Sequence, residues 1–375
     1  MIDRVMIMKK IREISGNIFF SAAVLCLGWY CITETDEVSA AVSSGAERCI
    51  DIIIPSLYAM LAVSAAFVRS GLAGCMPSFI RKSAGRILGM KGNSFPIFIF
   101  SQIAGYPAGA GMLMTEYRSG RLSKRSAELL MGVCFGAGPA FIFGCISSQL
   151  YGSPGAGRMI LISAVSANVI SAFGISFLLR REQELCSERL PLSFSGGMLT
   201  GSAAAGGRAA AGVCFMVMMF SVLSAMLRDI GAAGAAAAAI SHLTGYDEEM
   251  SRLLFDAFLD VTSVSRLTPG NYAVLPAMSA LVSFGGICVI MQIASIADGE
   301  LSILPMIVIR AAAACLSFGI CRLIMPFFLE GEAVAASAGF HVYRASSPVP
   351  SVMLMLMTIM LLSGSEGRNM KKFSE

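Results

Sequence analysis

The sequence predicts an all-α fold: a polytopic transmembrane helical bundle with an inverted repeat and two re-entrant or broken helix elements. Composition is the first ground. Of 375 residues, 56% are hydrophobic and only 14% charged, where globular chains carry roughly 45–50% apolar and about 25% charged residues. The second is that apolar runs recur at about the 20-residue length that crosses a bilayer. The third is that two of these runs are interrupted by glycine and proline. The net charge of +4 is too small and too dispersed for a nucleic-acid partner, so the expected partners are a lipid bilayer and a small-molecule substrate.

The elements follow in chain order. Asn17 to Ile32 lies behind Arg4, Lys9, Lys10 and Arg12 and has no convincing small-residue cleavage site after it. It reads as an uncleaved first helix whose basic flank stays in the cytoplasm. Residues 1–49 then form a unit of this helix and an acidic external segment, Glu34 to Glu47. Further spans are predicted at 51–68, 127–147, 158–179, 210–228 and 303–328, with less regular apolar stretches at 95–115, 230–243, 253–268 and 271–297. A weak hydrophobic run at 351–363 sits in a C-terminal tail, 329–375, and is short for a span. Basic residues gather in the loops around 69–91, 118–125 and 180–189, whereas 34–49, 148–156 and 229–252 hold few. This asymmetry orients a multi-pass membrane protein with its N-terminus inside.

The segment 95–115, FPIFIFSQIAGYPAGAGMLMT, carries Pro96, Gly105, Pro107, Gly109 and Gly111. A continuous helix breaks near Tyr106, and in lipid the freed backbone groups must be met by protein or a watery cavity. A re-entrant hairpin or discontinuous helix is therefore predicted, with a kinked span or small-residue packing face as the alternative. A second such element lies at 271–297, centred on Gly285-Gly286. Gly120-Arg121-Leu122-Ser123 follows the first and Gly299-Glu300-Leu301-Ser302 the second, so the chain reads as duplicated. The predicted halves, 50–181 and 210–328, run in opposite directions, as in the inverted repeats of secondary transporters. A Gly/Ser/Ala-rich linker is predicted between them at 182–209.

Enzyme chemistry finds no support. There is no G-x-x-x-x-G-K-[ST], no G-x-G-x-x-G after a strand, no G-x-S-x-G and no H-E-x-x-H. No cofactor motif is present and no catalytic residue is assigned. Eleven cysteines without a C-x-x-C pair and only two histidines, His242 and His341, give no plausible metal-ligand set. Small-residue faces suit packing within one chain or between copies alike, so a homo-oligomer is compatible with the sequence.

Four ordered stretches carry a family resemblance. Ala104-Gly105-Tyr106-Pro107-Ala108-Gly109-Ala110 resembles the S-G-Y-P-A-G-A element of the YlbJ-type sporulation integral membrane proteins, which contain the nucleoside-recognition, or gate, domain. Ile54-Pro55-Ser56-Leu57 resembles that family's I-P-S-L-F, and Gly138-Pro139-Ala140-Phe141-Ile142-Phe143-Gly144 its N-P-x-F-I-F-G. Phe284-Gly285-Gly286 with Gln292-Ile293-Ala294-Ser295 resembles its G-F-G-G…Q-V-A-S. The matches span about residues 50–328. Two places depart from the pattern: Cys134-Phe135-Gly136-Ala137-Gly138 stands where Asn-Ala-Ser-Asn is usual, and Ile290 where a histidine is expected.

The resemblance implies a gate architecture like that of concentrative nucleoside transporters. It also implies a role in spore cortex formation, by moving dipicolinic acid across the outer forespore membrane. Such a flat aromatic dianion needs positive potential, which half-helix N-termini at the Gly105–Gly109 and Gly285–Gly286 breaks can supply. Tyr106 is a candidate to stack on the ring, and Gln102, Ser283 and Gln292 are candidate hydrogen-bond donors. Pro139 joins these substrate-binding candidates through its matched motif. Ionisable residues in apolar segments suggest function because burying charge in a membrane is costly, so Asp260 and Arg310 are the coupling candidates. Asp256 and Asp260 share a face at i,i+4 if 253–268 is helical, with Arg266 as a helix-end partner in the bland alternative. The function expected is transport of a small organic anion, with a nucleoside-like solute or a non-transporting forespore-envelope scaffold as the alternatives.

Overall fold

The computed structural model describes residues 18, 21–182, 192, 194–266 and 272–329. The weak run at 351–363, most of the tail 329–375 and the basic N-terminal flank lie outside them. Among the described residues the chain is helical without strands. Five helices are long and apolar enough to cross a membrane: Thr35–Arg69, Pro154–Arg181, Gly196–Asp229, Tyr272–Ala297 and Leu304–Phe328.

Chain order gives α1 Ser21–Thr33 and α2 Thr35–Arg69, which passes through a π-turn at Cys49–Ile53. They are followed by α3 Ser78–Leu88, α4 Ser94–Ala104, α5 Tyr106–Arg118 and α6 Lys124–Val133. Helix α7, residues 139–151, begins at Pro139 and widens to π geometry from Ile142. Helix α8, Pro154–Arg181, closes the first half. The second half comprises α9 Gly196–Asp229, α10 Ala232–Thr244, α11 Glu248–Leu259, α12 Leu275–Phe284, α13 Gly286–Ala297 and α14 Leu304–Leu329.

Polar contacts sort the connections into two ends of the bundle. At one end Lys91 Nζ donates to the Glu182 carbonyl at 2.5 Å, Asn93 to Glu116 at 3.3 Å and Arg118 to Glu300 at 2.9 Å. The Ser302 N–H donates to Glu128 there, also at 2.9 Å. At the other end Tyr30 hydrogen-bonds Asp229, and Tyr246 donates to the Ala273 carbonyl at 3.3 Å. The Tyr151 and Tyr272 rings meet there at 5.3 Å.

These contacts trace the path. Both ends of the α4–α5 pair sit at the Arg118 end, so it is a re-entrant hairpin with its tip at Gly105. Helix α11 enters from the Tyr151 end, stops at Asp260 beside Arg48 in the middle of α2, and the chain is back at that end by Tyr272. The pair α6/α7 crosses with a break at 134–138, and α12/α13 crosses the other way with a break at Gly285. Each half is thus a long helix, a short one, a re-entrant element, a broken crossing and a final crossing, in inverted order of direction.

Four expectations are corrected by this path. The repeat pairs 94–118 with 248–266 and 124–151 with 272–297, not 95–115 with 271–297. Glu300 and Arg118 touch, so the two G-x-L-S boundaries share one end and cannot be inverted counterparts. The predicted span 127–147 is itself broken. The external segment 34–49 is the first part of α2, with Asp36 and Glu37 in the first turn, where the helix dipole favours acids. The linker 182–209 is helical from Gly196, because its small residues let α9 lie directly on α2: a Cβ at Gly206 would stand 2.6 Å from the Ala62 amide nitrogen.

The pairing of ends is testable in a cysteine-free background. Single cysteines at Ser119 and Gly299 are expected to react with an impermeant maleimide from one side of the membrane, and cysteines at Gly152 and Gly245 from the other. Labelling of 119 and 299 from opposite sides would overturn the repeat as drawn here.

Candidate functional site

Three breaks in apolar helices converge, and each exists because glycine permits what other residues resist. Gly105 (φ 97°) ends α4, and Gly285 (φ 90°) ends α12. Gly138 (φ 73°) closes the irregular stretch 134–138. All three lie in the left-handed half of backbone space, where a side chain is strained. Pro107, Pro139 and Pro276 sit in the first turns of the helices they open, where proline forfeits no helical hydrogen bond.

Backbone groups freed by the breaks must find partners away from water. Here side chains meet several of them. The Tyr106 hydroxyl donates to the Val282 carbonyl at 2.6 Å, joining the first hairpin to the last turn of α12. Arg310 Nη1 donates to the Ser283 carbonyl at 3.1 Å, placing a cation at the negative end of that half-helix. Gln102 Nε2 lies 3.2 Å from the Val133 carbonyl and 3.1 Å from that of Phe98. Asn168 Nδ2 donates to the Phe135 carbonyl at 2.7 Å.

These groups form one relay. Asn168, in the middle of α8, also donates to Gln102 Oε1 at 2.6 Å and accepts from Arg310 Nη2 at 2.7 Å. The Arg310 guanidinium lies 4.7 Å from the Phe135 ring centroid, and the Tyr106 ring lies 4.8 Å from the same ring. Arg310 is fully buried, and the ion pairs among the described residues do not include it. Its cation is held by an amide, a carbonyl and an aromatic face, all neutral, while its Nε and the buried Ser283 hydroxyl have no hydrogen-bond partner among the described residues. Charge-assisted hydrogen bonds of about 1.5–3 kcal/mol each and a desolvated cation–π contact of about 2 kcal/mol work against a burial cost of several kcal/mol.

A second cluster surrounds Asp260, which is buried at the end of α11. Its carboxylate accepts from the Thr262 N–H at 3.0 Å and the Thr262 hydroxyl at 2.7 Å, and lies 3.8 Å from Arg48 Nη2. Arg48 donates in turn to Ser221 Oγ at 2.5 Å. Gly286 lets the α12/α13 break close on this tip, since a Cβ there would stand 3.1 Å from the Phe258 carbonyl. Gly136 does the same in the first half, 2.6 Å from the Ser101 carbonyl.

Of the substrate-binding candidates, Gln102, Gly105, Tyr106, Ser283 and Gly285 come together with Arg310. Gly109 is a packing position, because a Cβ there would stand 2.0 Å from the Cys134 carbonyl. Pro139 is partly buried and opens α7. Gln292 Nε2 reaches Cys288 Sγ at 3.4 Å, two turns along α13 from the break. The coupling candidates part company: Arg310 belongs to the relay and Asp260 to the Arg48 cluster. Asp256 and Asp260 do not share a helical face, because Asp260 leaves the helix with extended backbone (φ −141°) while Asp256 pairs with Arg228 at 3.6 Å. The Arg266 side chain lies outside the described residues. Ile290 is buried in the core.

Three residues of these two clusters are not singled out by the sequence as candidates. Asn168 is an isolated amide in an apolar span, which is itself a usable signal. Arg48 falls in the region 34–49 that the sequence places outside the membrane. Phe135 was read only as a departure from a polar pattern. The chain matches no protein-family model, no curated protein and no solved structure.

The tight crossing of α5 and the 134–138 break gives a direct prediction. Gly109→Ala is expected to destabilise the detergent-solubilised protein by about 1–3 kcal/mol through overpacking, read as a lower Tm. Gly111→Ala, with nothing within 4 Å of its Cβ, is expected to leave Tm unchanged or raise it. Equal Tm values for the two variants would show that the crossing is looser than described.

Proposed function

We propose that this chain is a transporter-like membrane protein that moves a small organic anion through the meeting point of its broken helices. The observation that carries the reading is Arg310, a fully buried cation at the breaks whose described partners are all neutral. A buried charge is costly unless neutralised, and an anion neutralises this one. A nucleoside-like solute, being uncharged, leaves the cation unpaired, so the charge favours the anion. The N-termini of α5, α7 and α13, each next to a break, add positive potential of the same sign. Paired re-entrant elements and broken crossings support transport over a scaffold, which needs neither.

The resemblance at Gly105-Tyr106-Pro107-Ala108-Gly109 narrows the proposed substrate to dipicolinic acid. It also supports a proposed role in sporulation, at the outer forespore membrane.

Uptake of labelled pyridine-2,6-dicarboxylate into proteoliposomes tests the proposal. Wild-type protein is expected to carry the anion, and Arg310→Gln, at matched reconstitution and Tm, to lose roughly 30-fold or more, the scale for removing one partner of a buried charge interaction. Uptake of uridine alone would move the substrate to the nucleoside-like class. Uptake of neither solute would sink the transport reading.

A further inference from the structure

We infer that Phe135 is a self-occluding plug: its ring fills the slot that the aromatic or planar part of the anion occupies during transport. The inference rests on the organic-anion reading above and adds to it the group that closes the site.

Four observations support the plug. The ring is almost wholly buried, and parts from both halves grip it. Tyr106 of the first hairpin packs against it, tilted by 52°, at 4.8 Å, Arg310 of α14 lies over it at 4.7 Å, and Gly285 lies at its tip so closely that a Cβ would stand 2.5 Å from Cζ. This is a slot shaped to a six-membered ring, closed at its end by the one residue without a side chain.

Second, the ring does not satisfy the slot it fills. A cation facing a hydrocarbon ring retains only the quadrupole attraction, worth less than a carboxylate. The unpartnered Arg310 Nε and Ser283 hydroxyl are two spare donors at the same place. An ordinary apolar core position would have no guanidinium beside it.

Third, Phe135 is carried on irregular backbone. Residues 134–138 are non-helical, with Gly136 and Gly138 just after the ring, whereas Tyr106, Gly285 and Arg310 belong to helices or their ends. The backbone is pinned through the Phe135 carbonyl to Asn168, so turning the side chain out of the slot would break no hydrogen bond of the relay.

Fourth, the ring bridges the halves. It is attached to the first and packs on the second, so its departure releases the contact at Gly285 that an opening movement of one half against the other must break. A ligand competing with the plug binds with its intrinsic affinity reduced by the fraction of molecules in which the slot is open. Removing the plug therefore tightens binding without adding any contact.

The test uses full-length protein in nanodiscs and equilibrium binding of labelled benzoate, with benzyl alcohol as its neutral counterpart. Phe135→Ala is expected to bind benzoate about tenfold more tightly than wild type, equivalent to about 1.4 kcal/mol. Phe135→Leu, which keeps most of the bulk and guards against loss of fold, is expected to gain about threefold. Neither is expected to gain for benzyl alcohol, and adding Arg310→Gln should erase the gain for benzoate. Wild-type affinity in whichever variants fold would overturn the plug, as would an equal gain for both probes, which marks a plain cavity. Pyridine-2,6-dicarboxylate uptake by wild type reports on the transport reading by itself. Uptake with unchanged benzoate binding overturns the plug alone, whereas a benzoate gain without uptake overturns transport and leaves Phe135 as the occluder of an anion-binding slot only.

Discussion

The buried guanidinium of Arg310 is the constraint around which the centre of this protein is arranged. A cation enclosed by apolar helices needs acceptors, and neutral acceptors inside a membrane are scarce because helical carbonyls are already engaged. Breaking α12 from α13 at Gly285 leaves last-turn carbonyls free, and Arg310 takes one of them while Tyr106 takes another. The break thus supplies what the charge requires, and the charge stabilises the break. Each lowers the cost of the other: an unbroken helix would take one acceptor from the cation, and an uncapped break would leave its carbonyls unmet.

The same reciprocity extends outward through Asn168. Its amide uses both donor hydrogens and its oxygen at once, to Gln102, the Phe135 carbonyl and Arg310. One side chain therefore ties the first hairpin, the break at 134–138 and α14 to a single geometry. Such a network is strong when complete and costly when any member is lost. The second half solves a similar problem with different chemistry. At the Asp260 tip the buried charge is an anion, held by Thr262 and countered by Arg48 at 3.8 Å, so that tip is compensated within the protein. The first-half tip is not. The proposed function assigns the external anion to the Arg310 side on the strength of this imbalance.

What the sequence disclosed follows from where its signals were local. Gly105-Tyr106-Pro107 and Gly285-Gly286 are breaks readable from adjacent residues, and both are breaks in the structure. Gly136-Ala137-Gly138-Pro139 carries the same signature, yet 127–147 reads as one span because its flanks are largely apolar, with Glu128 their only charged residue. Arg48 and the tract from Gly196 were misread for a related reason. Both were judged by composition, acidic or Gly-rich, whereas helix formation there is decided by packing of α2 on α9. The repeat was legible as a duplication but not in its alignment, because G-R-L-S and G-E-L-S match in letters while only three-dimensional proximity shows that Arg118 and Glu300 lie at one end. Asp256 and Asp260 fail for the same cause: an i,i+4 spacing presumes a helix, and the helix stops between them.

The inverted order gives these two tips a further consequence. Each broken crossing closes on the re-entrant tip of its own half through a glycine, Gly136 against Ser101 and Gly286 against Phe258. The halves then meet across Tyr106, Phe135, Gly285 and the Asn168–Arg310 bond. Within each half the contacts are close backbone approaches that leave no room for movement. Between the halves the contacts around Arg310 run through side chains, several of them polar, whereas α9 lies on α2 by close backbone approach at Gly206. The side-chain part of the seam runs through the residues that hold Arg310, so the proposed anion site and this contact between the halves share the same groups.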